Sequence, residues 1–560
     1  MESNVDGIAP QKFFLSITAI IALSATAYIL FLNRNLWFYG DDFSFLFHRY
    51  FELKKGATLD AVLMPHNEHP AILPALTFLT IESLFGIDER WLFMLPVLTM
   101  HIVIIICVSY LLSWTVKSKA MAIAGVCAVA FLSAGYENLL WSFQFGFIGA
   151  IAFGLLQLCL IYPKEEVSWR DVLGSVCAVV AVTTQGTGLT ILFVVTIFLI
   201  LQRRWKALVI ATAPAIIIFA TWRVLYGVSE NVSGPTKYQL LELPKYVWRG
   251  LTFSADGIFH LAGIGVLLFT ALTLFHVFHF RDSRREHLFI SLITGVVFFY
   301  FLNGMGRVQL GIEQATASRY VYVGIVLLAV PTFSMIEGVF IKKARTVFVF
   351  GLILALWSVT VGSMELWQRA SEREGFDRQR YDLMSAAVEL SGSYAMNLSI
   401  APSPLLEPQI SVRDLLQANE LGIWVGSTFS RQALLDSASR IVTSIKTLPG
   451  SSSLASHDVQ SVANSSYMQE NKCIYITPIS RPQLVIQPKD DIPITLMSKS
   501  GGEIEVMLGD IDTSLTSVPA KLNLSPMVQY EISGWIQGSK LILNLSADSE
   551  TTVCGVIKNP

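Results

Sequence analysis

Asp41 and Asp42 stand side by side in the tract Trp37-Phe38-Tyr39-Gly40-Asp41-Asp42-Phe43, and the polar segment they open closes with His66-Asn67-Glu68-His69-Pro70. Carboxylates and imidazoles gathered where a chain leaves a bilayer are costly to hold near lipid and are kept for function. A carboxylate here can take a proton from an acceptor hydroxyl or stabilise positive charge in a transition state. The plainer role for Asp41-Asp42-Phe43-Ser44 is a helix cap. His66, Glu68 and His69 are suited to substrate hydrogen bonding or acid–base assistance, and their spacing is not that of a helical zinc pair. If a metal is held at all, Asp42, Glu68 and His69 are its candidate ligands, for Mg or Mn with substrate phosphate completing the shell.

A second set carries the opposite charge. Arg307 and Arg319, the latter followed by Tyr320, lie in the segment from Asn303 to Tyr320. A guanidinium presents a planar donor fork that matches phosphate oxygens. Glu137 and Gln144 are seven apart and would share a helix face, either lining the site or bonding between helices. Gln185-Gly186-Thr187-Gly188 reads as a turn, its glycines also permitting close approach of a ligand.

The elements that must position these residues are membrane spans. The 560-residue chain is 53% hydrophobic and 15% charged, with a mean hydropathy of +0.55. Its apolar residues come in runs long enough to cross a hydrocarbon core of about 30 Å. The runs are 13–33, 91–112, 120–135, 138–162, 171–185, 187–201, 207–226, 258–280, 288–303, 320–341 and 344–364, giving about eleven transmembrane helices. Segment 71–88 is short and carries Pro74 and Glu82, so it reads as a juxtamembrane or re-entrant helix. The start of the chain reads as an uncleaved anchor, the run continuing past Ala25-Thr26-Ala27 to Leu32.

Alternate loops then hold Lys117/Lys119, Lys164/Arg170, Arg203/Arg204/Lys206, Arg281/Arg284/Arg285 and Lys342/Lys343/Arg345. The positive-inside rule places these in the cytoplasm, with the N-terminus. Asp41, Asp42, His66, Glu68, His69, Glu137, Arg249, Asp256, Arg307 and Arg319 then all fall on the outer side. One external reaction or binding site is the implication. No basic tract has the density of a nucleic-acid binder.

Three regions are expected: 1–365, a transmembrane unit with a large first external loop (34–90); 366–450, a helical or mixed connector outside the membrane; and 451–560, a small external β-sandwich-like domain. The last rests on short alternating segments separated by turn residues, after a Ser-rich linker from Gly450 to Ser466. Cys473 and Cys554 are candidates for a disulfide between the first and last strands. Cys107, Cys127, Cys159 and Cys177 lie in apolar spans and read as packing residues.

An acidic residue in the first external loop (Asp41 or Asp42), the His69-Pro70 tract followed by Leu73 and Leu76, the span count and the late Arg319-Tyr320 pair resemble the GT-C superfamily of membrane glycosyltransferases, over about residues 10–365. The resemblance implies a polytopic α-helical enzyme of a bacterial inner membrane, its C-terminal domain periplasmic or extracellular. It implies inverting transfer of a sugar from a polyprenyl-phosphate donor to an external glycan, lipid or protein hydroxyl. Asp41 or Asp42 would be the base or would position the acceptor, and Arg307 or Arg319 would hold the lipid phosphate. The double Asp and the His66-x-Glu68-His69 sequence depart from the Asp-Glu and His-Pro-Pro patterns of protein mannosyltransferases. The competing classes are a transporter or flippase of lipid-linked glycans and a non-catalytic membrane binding protein. Repeats and mid-depth polar sites would mark a transporter, whereas here the polar groups gather at one face.

Overall fold

The computed structural model describes residues 12–227, 236–279, 282–340, 344–391, 398–403, 407–424, 429–441 and, with short gaps, 444–557. Arg281, Lys342, Lys343 and the first part of the Ser-rich stretch (450–456) lie outside the described residues. The chain divides into two compact units, Met1–Glu374 and Gly375–Pro560.

Among the described residues of the chain, eight helices are long and apolar enough to cross a membrane: Phe14–Asn33, Arg90–Thr115, Lys119–Leu140, Ser142–Ile161, Trp205–Tyr226, Arg284–Leu310, Ser318–Val339 and Ala344–Ser391. Ile72–Phe85, Gly188–Leu201 and Gly265–Phe278 are shorter apolar helices. Ile72–Phe85 has 14 residues, so at 1.5 Å per residue it is about 21 Å long, short of a core of about 30 Å. Gly188–Leu201 and Gly265–Phe278 have the same length and Trp169–Thr184 has 16 residues, so eight described helices, against about eleven expected, are long enough to cross.

The run 258–280 is not one helix. Leu243–Phe259 ends at His260, which takes the left-handed conformation (φ +54°), and a second helix starts at Gly265. The Asp256 carboxylate accepts the Gly265 N–H, so a side chain stabilises the break. Apolar composition runs through this point, which is why sequence alone joins the two pieces. Trp169–Thr184 opens on a capping box, Ser168 and Asp171 each bonding the other's backbone N–H. Buried residues from Phe14 to Ala370 form one apolar core.

In the second unit, helices Val412–Glu420 and Arg431–Ile441 accompany ten strands. These are β1 (Ser444–Thr447), β2 (His457–Glu470), β3 (Cys473–Gln487), β4 (Ile494–Ser498), β5 (Gly502–Asp510), β6 (Ala520–Leu524), β7 (Gln529–Ser533), β8 (Ser539–Asn544), β9 (Thr551–Cys554) and β10 (Val556–Ile557). The order is β1-β7-β4-β9-β3-β8-β5-β6, with β2 on β3 and β10 on β2. The first half of β3 pairs with β9 and the second half with β8, so one hydrogen-bonded network runs through both halves of the domain. Cys473 and Cys554 face each other in the β3–β9 register and form a disulfide.

Two stretches differ from expectation. Residues 457–466, read as linker, belong to strand β2, antiparallel to β3 with irregularities at Val459/Ser461 and Ala463/Ser465. Ser and Asn side chains depress hydropathy, but a backbone ladder needs only a neighbour to bond, and β3 supplies it. Ser444–Thr447, placed in the helical connector, pairs with β7.

Candidate functional site

The loop after the first span is pinned by cations whose donors meet its carbonyl groups. Arg90 donates to the Asn33 oxygen at 3.1 Å and to the Leu140 oxygen at 3.0 Å. Arg373 donates to the Leu140 and Trp37 carbonyls and lies 4.0 Å from the Tyr39 ring centroid. The Trp141 indole N–H donates to the Tyr39 oxygen at 3.0 Å, and its ring stacks on Tyr39 at 4.3 Å. Gly40 has φ +57°, and a Cβ there would come 3.1 Å from the Trp141 ring. A glycine is required for both reasons.

This turn sends the two aspartates in different directions. Asp42 is wholly buried. One of its oxygens accepts from the Ser142 hydroxyl at 2.8 Å and the other from the Tyr39 N–H at 3.1 Å. Burial pushes its carboxyl up to about 6, against the lowering effect of Ser142, Arg90, Tyr39 and Arg373. Asp41 keeps a side chain that is 26% exposed, with an oxygen 3.6 Å from His66 Nε2. Enclosure by protein pushes the Asp41 carboxyl up, but His66, Arg319 and Arg307 outweigh it and hold it below its ordinary value.

His66 and His69 exchange backbone hydrogen bonds of 3.0 and 3.1 Å, closing a tight turn in which Asn67 has φ +52°. The turn is held from behind by helix Thr58–Leu63. Arg49, buried, donates to the carbonyls of Ala61 (2.7 Å), Val62 (3.3 Å) and Met64 (2.8 Å), and Trp222 donates to Leu63 at 3.0 Å. These donors satisfy carbonyl groups that a helix end leaves open. The His66 ring packs on Phe143 (4.7 Å) and Phe45 (5.4 Å).

Glu68 Oε1 lies 3.6 Å from Arg307 and 3.8 Å from His69 Nε2. Desolvation, with Arg307, His66 and Arg223 adding to it, lowers the His69 imidazole to about 4 although Glu68 pulls the other way. The shift favours the neutral imidazole. A Cβ on Gly186 would come 2.5 Å from His69 Nδ1. The Gln185–Gly188 turn thus has a second role, admitting this imidazole.

Arg319 is fixed by its backbone: its N–H donates to the Glu137 carboxylate at 3.2 Å, and its oxygen accepts from Asn138 at 3.3 Å. Its guanidinium lies 5.2 Å from the centroid of the buried Tyr320 ring. Glu137 and Gln144 do not share a continuous helix face. Helix Tyr136–Leu140 ends at Trp141, which is extended (φ −124°, ψ 120°) before a short 3₁₀ turn, Ser142–Gln144. The Trp141 bonds to Tyr39 accompany that interruption. Gln144 is wholly buried, and neither of its amide atoms has a protein partner.

Asp41, His66, Glu68, His69, Glu137, Arg307 and Arg319 are therefore linked by contacts or by charge effects. Three contributors escaped the sequence reading. Arg223, whose Nη1 lies 3.5 Å from the Glu68 backbone carbonyl oxygen, ends a span and reads as an anchor. Ser142 and Arg373 act through carboxylate and carbonyl contacts that no spacing reveals. Among the described residues no three His, Cys, Asp or Glu side chains are gathered as a metal ion requires. Asp42 already accepts from Ser142 and Tyr39, so the set Asp42, Glu68 and His69 does not fit a metal centre.

No protein-family model matches the chain, and no curated protein matches it. Among solved structures it is similar to the crystal structure of ArnT from Cupriavidus metallidurans bound to undecaprenyl phosphate, at 14% identity and a TM-score of 0.44, covering 72% of this chain and 88% of that one.

Proposed function

We propose that the protein is an integral membrane glycosyltransferase of the GT-C type. It moves a sugar from a polyprenyl-phosphate donor to an acceptor hydroxyl outside the cytoplasm, with Asp41 as the base. The observation that carries this reading is the division of labour in the acidic pair. Asp42 is enclosed by Ser142 and Tyr39, while Asp41 shares its surroundings with His66, Arg307 and Arg319.

Sugar nucleotides are confined to the cytoplasm, so transfer outside needs a lipid-borne donor. The acceptor oxygen attacks the anomeric carbon from the side opposite the phosphate, and configuration inverts. As the new C–O bond forms, the hydroxyl proton passes to Asp41. As the old bond breaks, its electron pair leaves with the phosphate, whose growing charge is met by Arg307 and Arg319. His66, Arg319 and Arg307 keep Asp41 ionised at neutral pH, and it takes the proton late, once bond formation to the anomeric carbon has made the hydroxyl acidic. His69 and Glu68 hydrogen-bond sugar hydroxyls in this reading, which the partnerless Glu68 Oε2 supports.

The test is transfer by the detergent-purified protein from synthetic polyprenyl-phosphate sugars, comparing wild type with Asp41→Asn and Asp42→Asn. Loss in Asp41→Asn with retained folding supports the assignment. Full activity in that variant refutes it.

A further inference from the structure

A cleft of about 490 Å³ opens beside the Trp37–Asp42 loop, where the first span ends and helix Arg90–Thr115 begins. Its size falls within the range of small-ligand sites, roughly 300–1,000 Å³. Trp37 and Trp91 line it together with Arg34, Asn35, Asp88 and Glu89. Trp91 is 48% exposed. Its indole N–H donates to the Glu89 carboxylate at 2.6 Å, so the ring is held in one orientation although half of it meets solvent.

The geometry points to a saccharide subsite in this cleft, one that takes the acceptor glycan and delivers its hydroxyl to Asp41. The assignment rests on the transferase reading. Its chemistry is that of a polyhydroxylated ring, whose C–H face stacks on an indole while its hydroxyls need both donors and acceptors. Trp91 offers the stacking face; Arg34 and Asn35, which also donate to Phe31 O and to Glu374, offer their remaining N–H groups, and Asp88 and Glu89 the acceptors.

An interfacial anchor is the other use of a tryptophan at the end of a span. It would sit among groups that tolerate anionic lipid headgroups. Here Asp88 and Glu89 flank Trp91 and repel phosphate, while the cations at the wall, Arg34 and Arg90, only balance them. The Arg307/Arg319 side of the molecule differs, since Arg307 lies against the Glu68 carboxylate and both arginines act on Asp41.

Position completes the argument. Trp37 and Asp41 are four residues apart, so the chain between them spans at most about 14 Å. An acceptor lying in the cleft would cross at most that span to meet Asp41, which does not itself line the cleft. The intervening backbone is fixed at Trp37 by Arg373 and at Tyr39 by Trp141 and Asp42, which sets the distance between cleft and base.

The test uses the detergent-purified full chain and saturation-transfer NMR with three neutral probes: maltotriose, cellotriose and mannotriose. At least one trisaccharide is expected to receive saturation. The signal should fall at least fivefold in Trp91→Ala and in Glu89→Gln, and remain in Trp169→Ala, an exposed tryptophan elsewhere. Absence of signal for all three probes, a signal equal in Trp91→Ala, or its complete displacement by phosphatidylglycerol would overturn the subsite. Undecaprenyl-phosphate binding to the wild type, followed by native mass spectrometry, separates the two readings. Donor lipid bound without any saccharide sinks the subsite alone, and saccharide bound without donor lipid sinks the transferase reading while the cleft stands.

Discussion

The two units differ in which buried polar groups they leave open. In Met1–Glu374, among the described residues, buried polar atoms without protein partners include Glu68 Oε2 and both amide atoms of Gln144. In Gly375–Pro560 the buried charges are paired internally: Arg380 with Asp377 at 2.7 Å and with Glu407 at 3.7 Å, and Arg431 with Asp510 at 2.9 Å. Ser411 and Asp414 cap each other, and a disulfide joins β3 to β9. A buried polar atom left unsatisfied costs about 1–3 kcal/mol. A fold that retains several in one place keeps them for a ligand or for water, whereas one that satisfies its own groups gains rigidity. The second unit also leaves the Ser385 and Ser403 hydroxyls without partners and the first pairs Arg204 with Asp171, so the contrast lies in which groups are left open: an acid and an amide in the first unit, neutral hydroxyls in the second.

That contrast can be broken most decisively at Asp41. Asp41→Asn should reduce transfer about 10²- to 10⁴-fold, the usual contribution of a general base, with the melting temperature unchanged. A variant that melted early but transferred normally would place Asp41 with the structural groups. Next in size, Cys473→Ser should lower the stability of the second unit by about 2–4 kcal/mol, read by chemical denaturation, because the bridge closes a separation of 81 residues. Undecaprenyl-phosphate affinity should not move; a large change would mean that the units do not divide the work in this way.

Arg319→Ala should weaken donor affinity about tenfold or more, as expected for a lost charged contact of about 1.5–3 kcal/mol. Acceptor KM should change less, and unchanged donor affinity would remove Arg319 from the phosphate site. The smallest effect concerns pH. Asp42 in the folded protein binds its proton more tightly than an ordinary carboxyl, at about 6 against 3.8. Stability should therefore fall as pH rises through that window and then level off. Asp42→Asn should flatten the slope, and a slope that persisted would assign it to other groups. Transfer itself should stay level across the same window, because Asp41 titrates below it.

Much of the site was legible because its members are expensive. Asp41, His66, Glu68, His69, Arg307 and Arg319 are polar residues at the margins of apolar runs, and hydropathy alone makes them conspicuous. Arg223 carries the same charge but sits inside the last turn of a span, where a cation passes for an anchor. The fold was legible to the same degree. Long apolar runs declared themselves, while the break at His260 and strand β2 did not. The first depends on one backbone conformation, and the second on a neighbouring strand whose ladder ignores side-chain polarity.

The sequence by itself determined that the chain enters apolar surroundings many times and gathers its acids, imidazoles and arginines at the ends of those passages. It did so because the cost of placing charge against lipid is local and can be read residue by residue. Only the tertiary structure decided which aspartate is enclosed by protein and which stands with the arginines. The φ of Gly40, the Trp141–Tyr39 stack and the Ser142 hydroxyl set the directions of two adjacent carboxylates, and those partners come from segments a hundred residues away. Adjacent residues have nearly the same sequence surroundings; their environments differ only once distant parts of the chain have packed around them.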